Sequence, residues 1–275
     1  MIEHGPAERH EFAIRTLTVA STERIGVSLV RVTLTGGELA GFASTGPADH
    51  VKAFFPDPIT GDLAVPTMTA EGIRRPEHGT VLSRDYTPRA FRPATADAAP
   101  ELDIDFVLHG ADAPASAWAA SATAGDTLTV AGPRGSRPAP VGMSRVILGA
   151  DETALPAVAR WIEQLPAEVE ICAFVELAND SDAVYLDPET VHRAHVIWLS
   201  KGTGALERAI RGLGELDEST LVWVAGEADA LVSIRRYLRR ELGLPATQVK
   251  VDGYWKKGEA GRDHHAPIDP SDPED

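Results

Sequence analysis

The strongest constraint on the fold is a change of hydrophobic rhythm near residue 141. Before that point, apolar and polar residues alternate in residues 30–35 and 103–108, and residues 50–55 form another extended run that ends at Pro56. Alternation with a period of two is typical of half-buried strands. Because few stretches of residues 1–140 have helical spacing, the first half predicts a small antiparallel β-barrel.

After residue 141 the sequence alternates between continuous apolar strands and helices. The strand patterns cover residues 145–149, 169–177, 195–199 and 221–225, and the helical patterns cover 154–164 and 227–242. Such alternation indicates a parallel sheet covered on both faces. Proline, alanine and glycine cluster at 138–142, which favours a domain boundary there. We therefore expect a β-barrel domain over residues 1–140 and a Rossmann-like α/β domain over residues 141–258.

Composition narrows the classes of function. The chain has 275 residues, enough for about two domains of roughly 150 residues. Its net charge of −15 argues against nucleic acid and anionic membranes as partners, because phosphates attract basic faces. Cys172 is the single cysteine, so neither an intramolecular disulfide nor a CxxC site can form. With no signal-peptide pattern and no apolar run near ~18 residues, we expect a soluble, cytoplasmic monomer.

Residues 259–275 form a separate compositional segment. They include six acidic residues, one arginine and three prolines, and almost nothing that could be buried. We expect a disordered acidic tail in which His264 and His265 are solvated.

Two segments of the first half have residue types that suit a flavin. In residues 84–89 (Arg-Asp-Tyr-Thr-Pro-Arg), an arginine can bind a phosphate, a ring can stack on a planar heterocycle, and a hydroxyl can bond a ring nitrogen. A strand end with a surface ion pair is the plainer alternative. In residues 107–118 a strand leads through His109 into small residues and a helix start, where backbone N–H groups can bind a phosphate. Taken alone, His109 and Trp118 are more often structural.

Two further segments lie in the α/β half. Residues 148–157 form the first strand-to-helix turn, the expected dinucleotide position, although the sequence is not GxGxxG and Asp151 can simply cap a helix. Residues 222–228 and 253–258 combine aromatic and basic side chains that suit a flat anionic cofactor or a plain final strand. Ser200 and Lys201 follow a strand, where a cation could meet the 2′-phosphate of NADPH; an exposed lysine in a glycine-rich turn is the alternative.

Together and in this order, the four segments resemble the siderophore-interacting protein family, the flavin-dependent ferric-siderophore reductases of the ferredoxin-reductase-like superfamily. The resemblance extends from about residue 12 to residue 258. It implies FAD as cofactor, NADPH or NADH as electron donor and a ferric siderophore as substrate. The chain departs from the usual family pattern at Ala150, where glycine is common, and in the loop at 110–113, which has fewer glycines.

The resemblance also implies roles for individual residues. Arg84 would meet a phosphate, Tyr86 would stack against the isoalloxazine, and Thr87 would bond near its N5. The other implied cofactor contacts are Arg89 at the flavin or a phosphate, His109, Gly110, Ala115 and Ser116 around the pyrophosphate, Thr153, Ala154, Pro156, Gly226 and Glu227 on the nicotinamide-nucleotide side, and Trp255 near the flavin. The cations expected to attract an anionic ferric siderophore are Lys250, Lys256 and Lys257, with Arg235, Arg236, Arg239 and Arg240 at longer range.

The expected reaction is an electron relay from NAD(P)H through flavin to Fe(III). No side chain need act as acid or base in the metal step, and no protein metal site is expected. Three alternatives stay open: a general NAD(P)H:flavin or ferric-chelate reductase, a siderophore-binding protein that does not reduce, and a ferredoxin in place of NAD(P)H.

Overall fold

The computed structural model describes residues 1–69, 71–110, 113–263 and 266–273. The chain divides into a barrel unit, Ala7–Arg137, and a donor unit that joins Met1–Pro6 to Pro138–Asp275. The elements of the barrel unit are β1 (Glu8–Arg9), β2 (Ile14–Ile25), β3 (Leu29–Thr35), β4 (Val51–Phe55), β5 (Thr67–Thr69), β6 (Gly72–Arg74), β7 (Leu82–Tyr86), β8 (Pro88–Arg92), β9 (Glu101–Val107), α1 (Pro114–Ser121), β10 (Thr127–Ala131) and β11 (Gly135–Ser136), with a 3₁₀ turn at Gly37–Leu39.

The main sheet of the barrel unit has seven antiparallel strands in the order β7-β4-β10-β2-β3-β9-β8. Its two edge strands, β7 and β8, are consecutive in the chain and are separated by Thr87 alone. An extended chain covers only about 3.3–3.6 Å per residue, so one connecting residue cannot bridge a flat seven-stranded sheet. The sheet must therefore curl until its two edge strands are neighbours. The predicted antiparallel barrel is confirmed, and Thr87 marks its seam.

The alternation read from the sequence has the expected physical basis in β3. Val30, Val32 and Leu34 are buried, and the polar residues between them are half-buried on the other face. The inward side chains join a core that includes Phe55 and Phe106. The helix α1 packs its small residues against this core, so the strand face and the helix are buried together.

The donor unit contains a parallel sheet with helices between its strands. Its elements are β12 (Arg145–Asp151), α2 (Leu155–Gln164), β13 (Glu170–Leu177), α3 (Pro188–Arg193), β14 (Val196–Ser200), α4 (Ala205–Arg211), β15 (Thr220–Glu227), α5 (Ala228–Arg236) and β16 (Val249–Trp255), with 3₁₀ turns at Glu152–Ala154 and Asp180–Tyr185 and a π turn at Tyr237–Glu241.

The five parallel strands lie in the order β14-β13-β12-β15-β16. The chain starts at β12, builds outward to β14, and then returns to place β15 on the other side of β12. This reversal makes the carboxyl ends of β12 and β15 the switch point at which open α/β sheets bind their ligands. The predicted Rossmann-like parallel sheet is confirmed.

The first six residues of the chain do not belong to the barrel unit, although the predicted barrel domain covers residues 1–140. Glu3 exchanges two backbone hydrogen bonds of 3.0 Å with Val141, and Ile2 is buried, so residues 1–6 belong to the donor unit. The His4 imidazole Nε2 also lies 2.7 Å from the Thr247 carbonyl oxygen. These contacts join residues far apart in the chain, which is why a local composition pattern did not reveal them.

The described part of residues 259–273 departs from the predicted disorder. Ile268 and Asp269 are buried, and Ile268 belongs to the hydrophobic core of the donor unit. Arginines of α5 and the π turn give the acidic residues partners: Arg236 with Asp269 at 2.5 Å and Arg235 with Asp272 at 3.0 Å. The negative charge of this segment, which favoured disorder when only composition was considered, is therefore partly neutralised by these arginines in the folded chain. The predicted solvation of His264 and His265 lies outside the described residues.

Candidate functional site: a barrel seam and a sheet edge

The predicted flavin motif lies at the seam of the barrel. Arg84 and Tyr86 are on β7, Thr87 connects the two edge strands, and Arg89 is on β8. Thr87 is buried at 7% exposure, and the other three side chains are half-buried. The Arg84 guanidinium donates to the neighbouring Ser83 carbonyl at 2.7 Å. The structure thus brings these four predicted residues together on one narrow part of the sheet.

Tyr86 is part of an aromatic cluster beside the seam. Its ring centroid lies 4.4 Å from that of Phe106 and 6.2 Å from that of Phe55, and Trp118 of α1 packs on both phenylalanines. Burial raises the pKa of Tyr86 well above its ordinary value, and the Arg84 charge offsets only part of that shift. The phenol therefore stays protonated at neutral pH and presents a flat apolar ring with a hydrogen-bond donor.

The start of α1 offers backbone N–H groups at the end of a loop. Among the residues that the structure describes, no side chain caps α1 at its N-cap Ala113, and its first turn contains no acidic residue. The Ser116 hydroxyl accepts the His109 N–H at 3.0 Å and so joins the two ends of the loop. Gly110 has φ +95°, and nothing lies within 4 Å of the position of a β-carbon there. Ala115 and Ser116 are themselves buried, so we expect contacts there through backbone N–H groups.

These features fit a flavin dinucleotide. A helix N-terminus without a described side-chain cap, together with an open glycine earlier in the same loop, is a donor set that suits a pyrophosphate. Two arginines and a protonated phenol next to an aromatic cluster suit phosphate and a planar ring. The predicted loop residues Ala111 and Asp112 lie outside the described residues.

The switch point of the donor unit is organised by Asp151. Its Oδ1 accepts the Thr153 N–H at 2.9 Å and the Thr153 hydroxyl at 2.5 Å, and its Oδ2 accepts the Trp255 indole N–H at 2.7 Å. Gly226 has φ +157°, and a β-carbon there would lie 3.0 Å from the Asp151 carboxyl. Close approach of Asp151 therefore requires glycine at this position. Ala154, the last residue of the 3₁₀ turn, and Pro156, in the first turn of α2, are both buried.

Glu227 occupies the corresponding position at the end of β15. Its Oε2 accepts the Ala230 N–H at 2.7 Å and caps α5, and its Oε1 accepts the Lys257 backbone N–H at 3.0 Å. The predicted nicotinamide-side residues are thus gathered at one edge of the sheet. Their acidic side chains are already bonded to the protein's own backbone.

Lys201 is held between β12 and the end of β16. Its Nζ lies 2.6 Å from Glu152 Oε1 and 3.8 Å from Asp151 Oδ2, and 4.9 Å from the centre of the Trp255 ring. Burial, and then the Asp151 charge, raise the pKa of Glu152 despite the lysine. Ser200 is exposed, and its carbonyl accepts the Thr203 hydroxyl at 2.9 Å. Lys201 is therefore not the freely exposed lysine of the alternative interpretation.

The sequence did not single out Glu152 or Glu176 as site residues. Glu152 follows β12 directly, and Glu176 lies one residue before the end of β13. Burial raises the pKa of Glu176, whose Oε1 accepts the Leu206 N–H at 3.3 Å. Their positions at the carboxyl ends of predicted strands were a signal that could have identified both.

The basic residues predicted for the substrate have acidic neighbours. Lys250 pairs with Asp252 at 2.9 Å and Lys256 with Asp229 at 2.8 Å, while Lys257 is exposed. The arginines predicted to act at longer range are bonded within the donor unit: Arg235 and Arg240 to Asp272, Arg236 to Asp269, and Arg239 to the Leu244 carbonyl. The C-terminal segment supplies partners for three of the four arginines, and their longer-range role stays a prediction.

Among the residues that the structure describes, no group of three or more histidines, cysteines or acidic side chains is arranged to hold a metal ion. In the same part of the chain, no helix is long and apolar enough to cross a membrane.

Comparison with known proteins agrees with both units. Residues 18–137 match the siderophore-interacting FAD-binding domain, and residues 143–258 match the siderophore-interacting protein family. The ferric vibriobactin reductase ViuB of Vibrio cholerae is 31% identical over 257 residues, covering 91% of this chain and 92% of the relative. The NADPH-dependent ferric-chelate reductase of Escherichia coli is 33% identical over 250 residues, covering 90% and 94%.

A solved structure extends the agreement to three dimensions. A siderophore utilization protein from T. fusca superposes with a TM-score of 0.86 at 38% identity, over 95% of this chain and 99% of the other. The predicted family resemblance is therefore confirmed over both units. The chain belongs to the siderophore-interacting protein family.

Proposed function

We propose that this protein is a flavin-dependent ferric-siderophore reductase that uses FAD and NAD(P)H and releases Fe(II). The observation that carries the proposal is the barrel seam, where Arg84, Tyr86 and Thr87 lie inside the stretch that matches the FAD-binding domain. The chain aligns with more than nine tenths of the length of two relatives that are named as ferric reductases. The proposal rests on this combination of site residues and sequence similarity.

The residues of the barrel unit bind and orient the cofactor in this proposal. The Arg84 and Arg89 guanidinium groups neutralise phosphate, Tyr86 gives the isoalloxazine an apolar surface, and the Thr87 hydroxyl bonds the ring. The backbone N–H groups at the start of α1 hold the pyrophosphate, with Ser116 and His109 fixing the loop. FAD, when bound, accepts an electron pair from NAD(P)H and releases electrons singly, as reduction of Fe(III) to Fe(II) requires.

The residues of the donor unit bind the nucleotide at the sheet edge. Thr153 and the backbone around Ala154 and Pro156 start α2, and Gly226 keeps the end of β15 narrow. Trp255 is fixed by its bond to Asp151. Because siderophores hold Fe(III) through hard oxygen donors and hold Fe(II) more weakly, electron transfer alone releases the metal. We also propose the cytoplasm, where NAD(P)H is available, as its compartment, and a monomer as its state.

The direct test supplies FAD-loaded protein with NADH or NADPH, a ferric siderophore and a chelator that reports Fe(II). We expect Fe(II) only when protein, FAD, donor and siderophore are all present. If the protein binds the ferric siderophore but Fe(II) never forms, even after photoreduction of the flavin, the reductase proposal is wrong and a non-catalytic binding protein is correct. If Fe(II) forms after photoreduction but not with NAD(P)H, a protein donor such as ferredoxin replaces the nucleotide.

A general ferric-chelate reductase is the second candidate, because one relative carries that name. Rates compared across ferric siderophores and simple ferric chelates separate the two candidates, and equal rates favour the general reductase. If Lys256 and Lys257 attract an anionic ferric siderophore, replacing both with alanine raises KM for that substrate and leaves FAD bound. An unchanged KM for that variant would overturn the role of the two lysines.

A further inference from the structure

Lys201 is the cation that a nucleotide 2′-phosphate would need at this sheet edge, and it is already engaged. It follows β14, while its partner Glu152 follows β12, and the two meet at 2.6 Å across the carboxyl ends of the sheet. Asp151 lies 3.8 Å from the same Nζ, and the Trp255 ring lies on another side at 4.9 Å. The lysine side chain is consequently only 25% exposed.

Glu152 depends on this lysine. Its side chain is 8% exposed, and its second oxygen, Oε2, is buried without a hydrogen-bond partner. Removing one partner of a buried pair leaves an uncompensated charge, which costs far more than the pair itself contributes. A ligand that draws Lys201 away therefore leaves Glu152 and Asp151 as buried carboxylates without their cation.

The charges around the edge do not favour an added phosphate. Asp151 interacts with both Glu152 and Glu176 there, and the cations that interact with Glu176 are Lys201 and Arg208. The Arg208 guanidinium donates to the Thr203 carbonyl at 2.6 Å and closes the turn after β14. In parallel α/β folds, acidic residues at strand ends suit the ribose hydroxyls of NADH, whereas a free cation suits the 2′-phosphate of NADPH.

We propose that Glu152 is a specificity-determining residue that makes this edge accept NADH in preference to NADPH, because it holds Lys201 as its own counterion. This inference rests on the proposed function and specifies its electron donor. Lys201 then acts as an internal counterion, and Glu152 sets the preference by engaging it rather than by touching the phosphate.

A matched pair of probes tests the preference without any turnover. Adenosine 5′-monophosphate and adenosine 2′,5′-bisphosphate differ only in the 2′-phosphate, and calorimetry on the FAD-loaded protein gives both affinities. For the wild type we expect the monophosphate to bind more tightly. The isosteric Glu152→Gln variant frees Lys201, and we expect it to bind the bisphosphate about tenfold more tightly while the monophosphate changes little.

Two further variants make the result specific. Glu241→Gln removes one negative charge from the exposed pair with Arg211 and controls for net charge. Adding Lys201→Met to Glu152→Gln removes both charges of the pair together, so neither is left buried alone, and it abolishes the gain if Lys201 is responsible. Rates of flavin reduction by NADH and NADPH should follow the same order.

Each outcome decides the proposal. A wild type that prefers the bisphosphate, or a Glu152→Gln variant no better than Glu241→Gln, overturns it. Failure of both probes to bind also overturns it, because the edge is then not a nucleotide site. None of these results touches the proposed reduction of ferric siderophores by the flavin, which fails only if photoreduced protein yields no Fe(II) from a ferric siderophore.

Discussion

The start of α1 in the barrel unit differs from the turns that follow β12 and β15 in the donor unit. Among the described residues, no side chain caps α1 and its first turn has no acid, whereas Asp151 and Glu227 cap the two turns at the sheet edge. An uncapped N-terminus attracts phosphate, and a carboxylate placed there satisfies the same donors internally. The difference favours phosphate binding at the start of α1 over phosphate binding at these two capped turns.

A substitution in the C-terminal segment has the largest expected effect on stability, and we expect that effect to be confined to the donor unit. Ile268 is 6% exposed and lies against the place where a β-carbon on Gly253 of β16 would be, at 2.9 Å. Ile268→Ala is expected to lower the free energy of unfolding by about 2–4 kcal/mol and to weaken NADH binding. Thermal unfolding and nucleotide titration measure both.

Loss of FAD affinity in the Ile268→Ala variant would contradict the expectation that the effect is confined to the donor unit. Ile73→Ala is the control, because Ile73 is an exposed isoleucine of the barrel unit at 44% exposure. That variant should unfold close to the wild-type temperature.

An acidic cap on α1 should remove the difference between the units. Ala113 has extended backbone geometry at the N-cap, so Ala113→Asp can bond the free N–H groups. We expect FAD binding to weaken by about 2 kcal/mol, because the carboxylate occupies the donors and repels the pyrophosphate. The FAD-free protein should be no less stable than the wild type.

Ala113→Asn supplies the same cap without the charge and separates the two causes. It should weaken FAD binding less than Ala113→Asp does. Fluorescence titration of FAD measures both variants, and unchanged affinity in Ala113→Asp would show that the start of α1 does not hold the cofactor.

The smallest expected effect is a pH dependence of the C-terminal segment. Hydrogen bonds from Arg236, and then Ser271, lower the pKa of Asp269 to about 2. A lowered carboxyl pKa stabilises the folded state above the unfolded value of about 3.9 and loses that contribution as pH falls toward the folded value. Asp269→Asn should therefore melt below the wild type at neutral pH, and the gap should narrow between about pH 4 and pH 2.

The exposed Asp97 of the barrel unit is the control for that experiment. Asp97→Asn should show no comparable gap at neutral pH. A gap for Asp269→Asn that stays constant across the acidic range would mean that its ion pair does not hold the segment.

Local patterns predicted both sheets, because the order of apolar and polar residues within a strand shows which of its faces are buried. Val30, Val32 and Leu34 alternate, and residues 221–225 are continuously apolar, which separates one-sided from two-sided burial. The seam at Thr87 was not predicted, because it depends on which strands become the edges. The pairing of Lys201 with Glu152 also escaped prediction, since the two residues are 49 positions apart and meet only through strand order.

The sequence predicts a flavin motif at residues 84–89, and the structure adds the surroundings of these residues. Spacing alone puts Arg84 and Tyr86 on one face of a strand, while the barrel places them beside Phe106 and the seam. The acidic C-terminal segment is the opposite case. Composition predicted disorder there, because it counts charges without the arginines of α5 that pair with them.

The visible absorption spectrum tests the central claim most directly. Purified protein is incubated with FAD, desalted and scanned, alongside the Ala113→Asp variant. We predict that the wild type retains a structured flavin spectrum and that the variant loses most of it. A wild-type protein that stays colourless after FAD has been offered would contradict the account, and the chain would then be a siderophore-binding protein on a reductase fold.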